Sequence, residues 1–257
     1  SIRMSSIELP WLVPGASFPD PTRALREPAG LLAAGGDLTI PTLRRAYSRG
    51  IFPWFNQGEP ILWWSPEPRM VLNCADLHIS HSLNKRLKQI ANKQIAADFE
   101  VVVTVDTRFE QVMHQCASTP RDGQPGTWIT KQMQQAYCAW HQIGEAHSIE
   151  TCINGELVGG LYGISLGSMF FGESMFSHRT DASKIALVHL VRFLKQQGVT
   201  LIDCQMQTRH LATLGAKPIT RQEFLAHLDL TVEQPGTQWR SGWIDRLGQL
   251  QSLSLLG

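Results

Sequence analysis

Residues 147–174, HSIETCINGELVGGLYGISLGSMFFGES, decide the fold class. His147–Ile153 and Glu156–Leu166 are β-rich runs separated by Asn154-Gly155. That dipeptide suits a type I′ hairpin turn, whose two central residues both need positive φ. Ser168–Ser174 reads as a third strand. Beyond it, Asp181 or Ser183 is placed to cap a helix running to Gln197 and stopped by Gly198. This helix is apolar almost all round, so it is expected to be buried. Thr200–Met206 reads as a fourth strand, with short helices expected around 209–214 and 221–228. Hairpin, strand, helix, strand is the order of an α+β domain built on a central mixed sheet.

Upstream, Ser80 is a cap for a helix from about His81 to Ala91. Leu83, Leu87 and Ile90 follow i, i+4, i+7 spacing and form one apolar stripe, while His81, Lys85 and Lys88 project from the opposite side. A strand at Phe99–Val105, a helix around Thr107–Cys116 and a loop at Pro120–Gly126 come next. A further helix, about Ile129–Gln142, carries Ile129, Met133, Ala136, Tyr137 and Trp140 on one face and ends at Gly144. The Pro-rich stretch Pro60–Pro68 (PILWWSPEP) is the expected joint between a small unit, residues 1–67, and the larger domain, residues 68–257. The small unit holds a helix opened by Pro41, with Asp37 or Thr39 as cap and Gly50 as stop, and an aromatic knot at Ile51–Phe55 and Trp63-Trp64. So short a unit has a thin core and should pack against the rest. From Leu230 onward, through Trp239 and Trp243, no pattern is legible.

With Lys+Arg 23 and Asp+Glu 22, the net charge of +1 excludes a uniformly basic nucleic-acid binder, so any RNA contact must come from local clustering. No apolar run is long enough to span a membrane. Met4 reads as the start, and the stretch around it lacks the layout of a signal peptide. Cys74, Cys116, Cys138, Cys152 and Cys204 are odd in number and form no C-x-x-C. That usage fits a reducing cytoplasm and argues against a disulfide framework or a zinc site. There is no P-loop, no G-x-G-x-x-G, no H-E-x-x-H and no G-x-S-x-G. The expectation is therefore a cytoplasmic protein with no cofactor and no metal, and a monomer, since no amphipathic heptad is left over.

Two runs place polar groups where apolar ones prevail. In Phe170–Ser177, strand alternation puts Phe171 and Glu173 on one face and Phe170 on the other. Glu173 is either a paired structural charge or a site acid. In Leu201–Met206, Asp203 and Gln205 share a face opposite Ile202, Cys204 and Met206. Polar side chains there need hydrogen bonds, within either a satisfied core network or a site. The element order also resembles that of coenzyme A-dependent acyltransferases, which carry a glycine-rich pyrophosphate loop at the start of a central helix. Here that helix opens His178-Arg179-Thr180-Asp181-Ala182-Ser183-Lys184, with no glycine pair. Ser183 and Lys184 remain candidates for another phosphate, or Ser183 is simply a cap.

Several stretches together are similar to those of bacterial leucyl/phenylalanyl-tRNA–protein transferases. They are Leu25–Pro28 with Leu31–Asp37, Gly50–Phe55, Leu62–Pro66 with Pro68-Arg69, Gly126–Thr130, Gly172–Ser177, Leu201–Gln205 and the segment from Gln205 to Ala216. The resemblance spans roughly residues 20 to 225. It implies a small N-terminal domain on an acetyltransferase-like (GNAT-type) domain. The implied reaction moves Leu or Phe, and less well Met, from aminoacyl-tRNA to the α-amine of proteins that begin with Arg or Lys, marking them for N-degron degradation. Asp203, Gln205 and Glu173 are then the expected catalytic set. Leu161, Phe170, Met175, Leu190 and Ile202 match the family's donor side-chain pocket, although Leu190 reads equally as plain core. For the tRNA, His81, Lys85, Arg86 and Lys88 would meet the acceptor-stem backbone, unless that helix face is merely solvated. Trp54 and Trp128 would stack on the terminal adenosine. The alternatives are another acyltransferase of similar fold, either coenzyme A-dependent or of the aminoacyl-tRNA-dependent peptidoglycan-bridge type, and an RNA-binding module without catalysis.

Overall fold

In the computed structural model, which describes residues 8–118, 129–205 and 209–256, the Asn154-Gly155 turn has φ of +49° and +79°. It joins two long paired strands, Ala146–Ile153 and Glu156–Leu166. Four short strands precede that hairpin in the N-terminal region: β1 (Trp11–Leu12), β2 (Leu31–Gly35), β3 (Phe52–Pro53) and β4 (Leu62–Trp64). They form a small sheet in the order β1-β2-β4-β3. Its core is Trp63, fully buried, whose indole nitrogen donates to the Gly35 carbonyl at 2.8 Å and whose ring meets Phe18 edge-on. Helix α1 (Ile40–Ser48) starts after Asp37, which accepts hydrogen bonds from the Thr39 amide and hydroxyl. The chain leaves α1 through Gly50 at φ +72°, where a Cβ would lie 2.9 Å from Leu225.

The larger sheet takes β5 (Arg69–Asn73), β6 (Val101–Val105), β7 (Ala146–Ile153), β8 (Glu156–Leu166), β9 (Met169–Ser177) and β10 (Leu201–Gln205). Three shorter strands complete it: β11 (Lys217–Ile219), β12 (Gly242–Ile244) and β13 (Leu250–Gln251). The order is β11-β5-β10-β9-β8-β7-β6-β12-β13. Every neighbouring pair is antiparallel except β9 and β10, which run parallel because helix α5 (Ala182–Gln196) carries the chain across between them. On one face lie α5 and α2 (His81–Ile95). On the other lie α1, α3 (Phe109–Ser118), α4 (Lys131–Gln142) and α7 (Arg221–Thr231), while α6 (Arg209–Thr213) follows β10. The fold is thus a mixed-sheet α+β domain carrying a small N-terminal sheet. Among the described residues no helix is long and apolar enough to cross a membrane.

Helix α2 buries Leu83, Leu87 and Ile90 as its spacing requires, and Ser80 caps it, although it runs a turn past the expected end. Two expectations change, and the tail, which carries no legible pattern, acquires a structure. The third strand continues to Ser177, because a bulge opposite Tyr162 and Gly163 keeps it paired beyond Ser174. Helix α5 is not capped by an Asp181 or Ser183 side chain. Asp181 adopts φ +63° with no side-chain cap bond, and the Ser177 hydroxyl accepts the Ser183 amide at 3.2 Å. The tail is structured. Strand β12 pairs with β6, Trp239 stacks on His147 at 4.1 Å, and Trp243 meets Phe99 at 5.4 Å. Strands of two or three residues carry no readable alternation, which hid the tail and three of the four N-terminal strands from sequence reasoning. The far end of the fourth strand, Met206, and the Pro120–Gly126 loop lie outside the described residues.

Candidate active site

Strands β9 and β10 pair for only two recorded steps, Ile202 with Phe170 and Asp203 with Phe171. Beyond these, each strand breaks its regular register with its other neighbour. Strand β9 is bulged against β8 around Glu173, and β10 shifts against β5 between Asp203 and Gln205. Gln205 takes φ +61°, a left-handed conformation that a residue with a side chain rarely adopts. Gly172 allows the close approach here, since a Cβ would sit 3.2 Å from the Asp203 carbonyl oxygen. Bulges turn side chains out of strict alternation. Glu173 and Gln205 are thereby brought together across the parting strands, and the Gln205 amide nitrogen donates to Glu173 Oε2 at 3.1 Å.

The contacts run on in both directions. Asp203, with no exposed surface, accepts from Arg69 Nε at 2.9 Å and from Nη2 at 2.7 Å, and its Oδ1 also accepts the Gln205 backbone amide at 2.9 Å. Arg69 is itself 1% exposed. Its third nitrogen donates to the Gly50 carbonyl at 2.8 Å, and its guanidinium lies over Phe52 (5.0 Å) and Phe224 (4.5 Å). Such a fork-on-fork pair, with two aromatic rings against the guanidinium, fixes the Asp203 carboxylate plane. On the other side, the Tyr47 hydroxyl donates to Glu173 Oε1 at 2.6 Å and lies 2.6 Å from the Tyr137 hydroxyl.

Glu173 keeps part of its surface accessible, yet its carboxyl is pushed up to about 8. Burial is the main cause and the Asp203 charge adds to it, while the Tyr47 and Gln205 hydrogen bonds and the Arg69 charge oppose it. Burial and the Glu173 charge hold both tyrosines well above the usual phenol range, so they remain O–H donors. Burial and the Asp203 charge likewise push the Cys204 thiol up to about 12, so no thiolate nucleophile is supplied here.

The five residues matched to a donor side-chain pocket fall together on the other sheet face. Leu161, Phe170, Leu190 and Ile202 are buried in the cluster shared with α2 and α5, and Met175 packs against it while partly exposed. The residues matched to tRNA contacts do not all gather. His81, Lys85 and Lys88 are exposed on α2 and Arg86 is half-buried, on the same side of the sheet as α5. Lys184 is half-buried and pairs with Asp181 at 3.8 Å. Ser183 is buried and its amide is already held by Ser177, so it presents little to a phosphate. Trp54 lies on the opposite side, half-buried and edge-on to Trp64 at 5.7 Å, packed against the cluster that holds Tyr47 and Phe171. Trp128 lies outside the described residues.

The family profile described as leucyl/phenylalanyl-tRNA protein transferase matches residues 71–229, and the profile of that family's N-terminal domain matches residues 36–67. The chain belongs to this transferase family. The leucyl/phenylalanyl-tRNA–protein transferase of Bordetella petrii is 60% identical over 244 residues, covering 95% of this chain and 96% of that protein. Its namesake from Bordetella avium is 57% identical over 95% and 97%. The one from Chromobacterium violaceum is 57% identical over 90% and 96%. Among solved structures, L-PGS from Bacillus licheniformis is similar at a TM-score of 0.35 and 13% identity, covering 68% of this chain and 53% of that one, a likeness too slight to bear on the site.

For this aminoacyltransferase, sequence reasoning missed Arg69, Tyr47 and Tyr137 as site residues. A faint signal existed for the tyrosines. Only three occur in the chain, and Tyr137 sits on an apolar helix face where its hydroxyl needs a partner. That Tyr47, Tyr137 and Glu173 meet is a fact of tertiary structure, since 90 and 126 residues separate Tyr47 from its two partners.

Proposed function

We propose that this enzyme, a cytoplasmic monomer, transfers Leu or Phe, and less well Met, from aminoacyl-tRNA to the α-amine of proteins beginning with Arg or Lys, marking them for N-degron degradation. The observation that carries the reading is the Glu173–Gln205 contact across the parted strands, backed by the buried Asp203–Arg69 pair. An aminoacyl-tRNA is already an activated ester, so amide formation needs no ATP and no metal. The attacking α-amine has an ordinary pKa of about 7.7–8.0, so roughly a tenth or more is unprotonated at neutral pH. Positioning can then supply most of the rate, with modest help in moving one proton.

In this reading the amine nitrogen attacks the ester carbonyl carbon, the C–N bond forms, the C–O bond to the ribose breaks, and the tRNA leaves with its terminal hydroxyl restored. Gln205 is a poor base, so its amide oxygen orients the amine by accepting a hydrogen bond. Asp203 is sealed from solvent with both oxygens engaged. It acts through the Gln205 backbone amide rather than on the substrate. Glu173 is the partly accessible acid. It holds the acceptor's amine or its cationic first side chain, and a charge-assisted contact of that kind favours Arg and Lys over neutral residues.

The donor side chain occupies the apolar cluster of Leu161, Phe170, Met175, Leu190 and Ile202, where a flexible methionine lets one slot serve Leu and Phe. β-branched donors are disfavoured by shape, at about 1–3 kcal/mol. The α2 face with His81, Lys85, Arg86 and Lys88, together with Lys184, meets tRNA phosphates, and Trp54 stacks on a base.

The test mixes the protein with Phe-tRNA and peptides that begin with Arg or with Asp, followed by sequencing of the product N-terminus. Phe on the Arg-starting peptide is expected. Transfer only to the Asp-starting peptide, or from phenylalanyl-coenzyme A, would overturn the proposal.

A further inference from the structure

We propose that Tyr47 and Tyr137 are positioning residues, a two-phenol relay that orients Glu173 and favours its ionised form for a basic acceptor. This rests on the transferase reading above and adds to it two residues from outside the parted strands. Tyr47 comes from α1 and Tyr137 from α4, and both are about 1% exposed.

The direction of the relay follows from counting protons. Each phenol has one O–H. Tyr47 gives its proton to Glu173 Oε1, so in the 2.6 Å contact between the hydroxyls Tyr137 must be the donor. Tyr137 therefore polarises Tyr47, and Tyr47 makes a stronger bond to the carboxylate than it would alone. Neither ring is free to turn away. Tyr47 is wedged edge-on against Phe171 at 5.4 Å and tilted on Trp140 at 5.1 Å, while Tyr137 stacks on Trp140 at 6.2 Å.

The other groups facing Glu173 are Gln205 and Asp203 on β10 and Arg69 on β5. Gln205 holds Oε2, so with Tyr47 on Oε1 both oxygens are fixed and the carboxylate plane is set. Each oxygen retains lone-pair capacity for one further donor, and Glu173 keeps part of its surface accessible. Once ionised, the carboxylate thus presents its remaining lone pairs as a fixed, negatively charged acceptor. Burial works against that charge, while the Tyr47 hydroxyl works for it directly and Tyr137 works only through Tyr47.

The test compares wild type with Tyr47→Phe and Tyr137→Phe, each nearly isosteric. Phe transfer from Phe-tRNA is followed against pH, using a peptide starting with Arg and one starting with citrulline, the neutral isostere of Arg. In wild type, kcat/KM for the Arg-starting peptide should rise through about pH 8, where both Glu173 and the attacking amine lose a proton, and only the Glu173 part can move in a tyrosine variant. In Tyr47→Phe the rise should move to higher pH and KM for that peptide should increase roughly tenfold or more. The Arg-over-citrulline preference at pH 7.5 should shrink in parallel. Tyr137→Phe should show the same changes at smaller size. If wild type transfers Phe to the Arg-starting peptide but both variants keep its pH profile and its Arg-over-citrulline ratio, the relay has no such role. If wild type itself transfers nothing, the transferase reading fails first. Near-UV circular dichroism identifies a variant that has not folded, and the other variant then decides.

Discussion

Replacing Arg69 with Met tests how the site is held. Met keeps most of the aliphatic length but removes two bonds to Asp203, one bond to the Gly50 carbonyl and the cation over Phe52 and Phe224. Removing one partner of a buried ion pair strands the other charge, at a cost of about 3–5 kcal/mol. Against a total stability of about 5–15 kcal/mol, that is a large share. Asp203→Leu should cost a similar amount, because Arg69 is then the stranded ion. The double variant Arg69→Met/Asp203→Leu strands neither. It leaves chiefly the Gln205 amide and the Gly50 carbonyl short of a partner, at about 1–3 kcal/mol each. It should therefore be much less destabilised than the sum of the single changes, with a coupling energy of about 2 kcal/mol or more. Transfer activity should not recover with stability, since Gln205 no longer has the carboxylate that anchors its left-handed backbone. Urea unfolding of the four proteins measures the first quantity, and kcat/KM with an Arg-starting peptide measures the second. Additive stability losses, or a double variant with wild-type turnover, would refute the reasoning.

Three further outcomes are expected. Glu173 titrates near 8 in the native protein against 4.5 when unperturbed, so its contribution to stability is full below about pH 4.5 and is lost as pH rises through 8. Glu173→Gln removes that titration. Relative to wild type it should gain thermal stability between pH 5 and pH 9 while losing tenfold or more in kcat/KM for an Arg-starting peptide. Lys85→Ala/Lys88→Ala, on the exposed face of α2, should leave the melting temperature unchanged and weaken tRNA binding. A plot of log K against log salt should become shallower by roughly 1 to 2. Trp239→Ala removes the stack on His147 and the packing on Phe193 at 4.9 Å, and should destabilise the fold by about 2–3 kcal/mol, read by urea unfolding.

Local chemistry made much of the fold legible. The Asn154-Gly155 turn, the Ser80 cap, the Leu83–Leu87–Ile90 stripe and the buried α5 each declare themselves within a few residues, because turn dihedrals, caps and periodic burial are short-range demands. The same short range explains the misses. Strands β1, β3, β12 and β13 are two or three residues long and are defined by their partners rather than by alternation. The Ser177 hydroxyl took over the capping work expected of Asp181 or Ser183 because the bulged β9 delivers it to the start of α5.

The sequence by itself determined that acid and amide groups would sit in otherwise apolar strands, and that such groups would need partners. Only the tertiary structure decided which partners. Arg69 reached Asp203 across 134 residues, and Tyr47 reached Glu173 across 126. The physical reason is that burial obliges a polar side chain to be satisfied without specifying by whom. That choice is made where β9 and β10 part, by the register of a sheet assembled from distant segments.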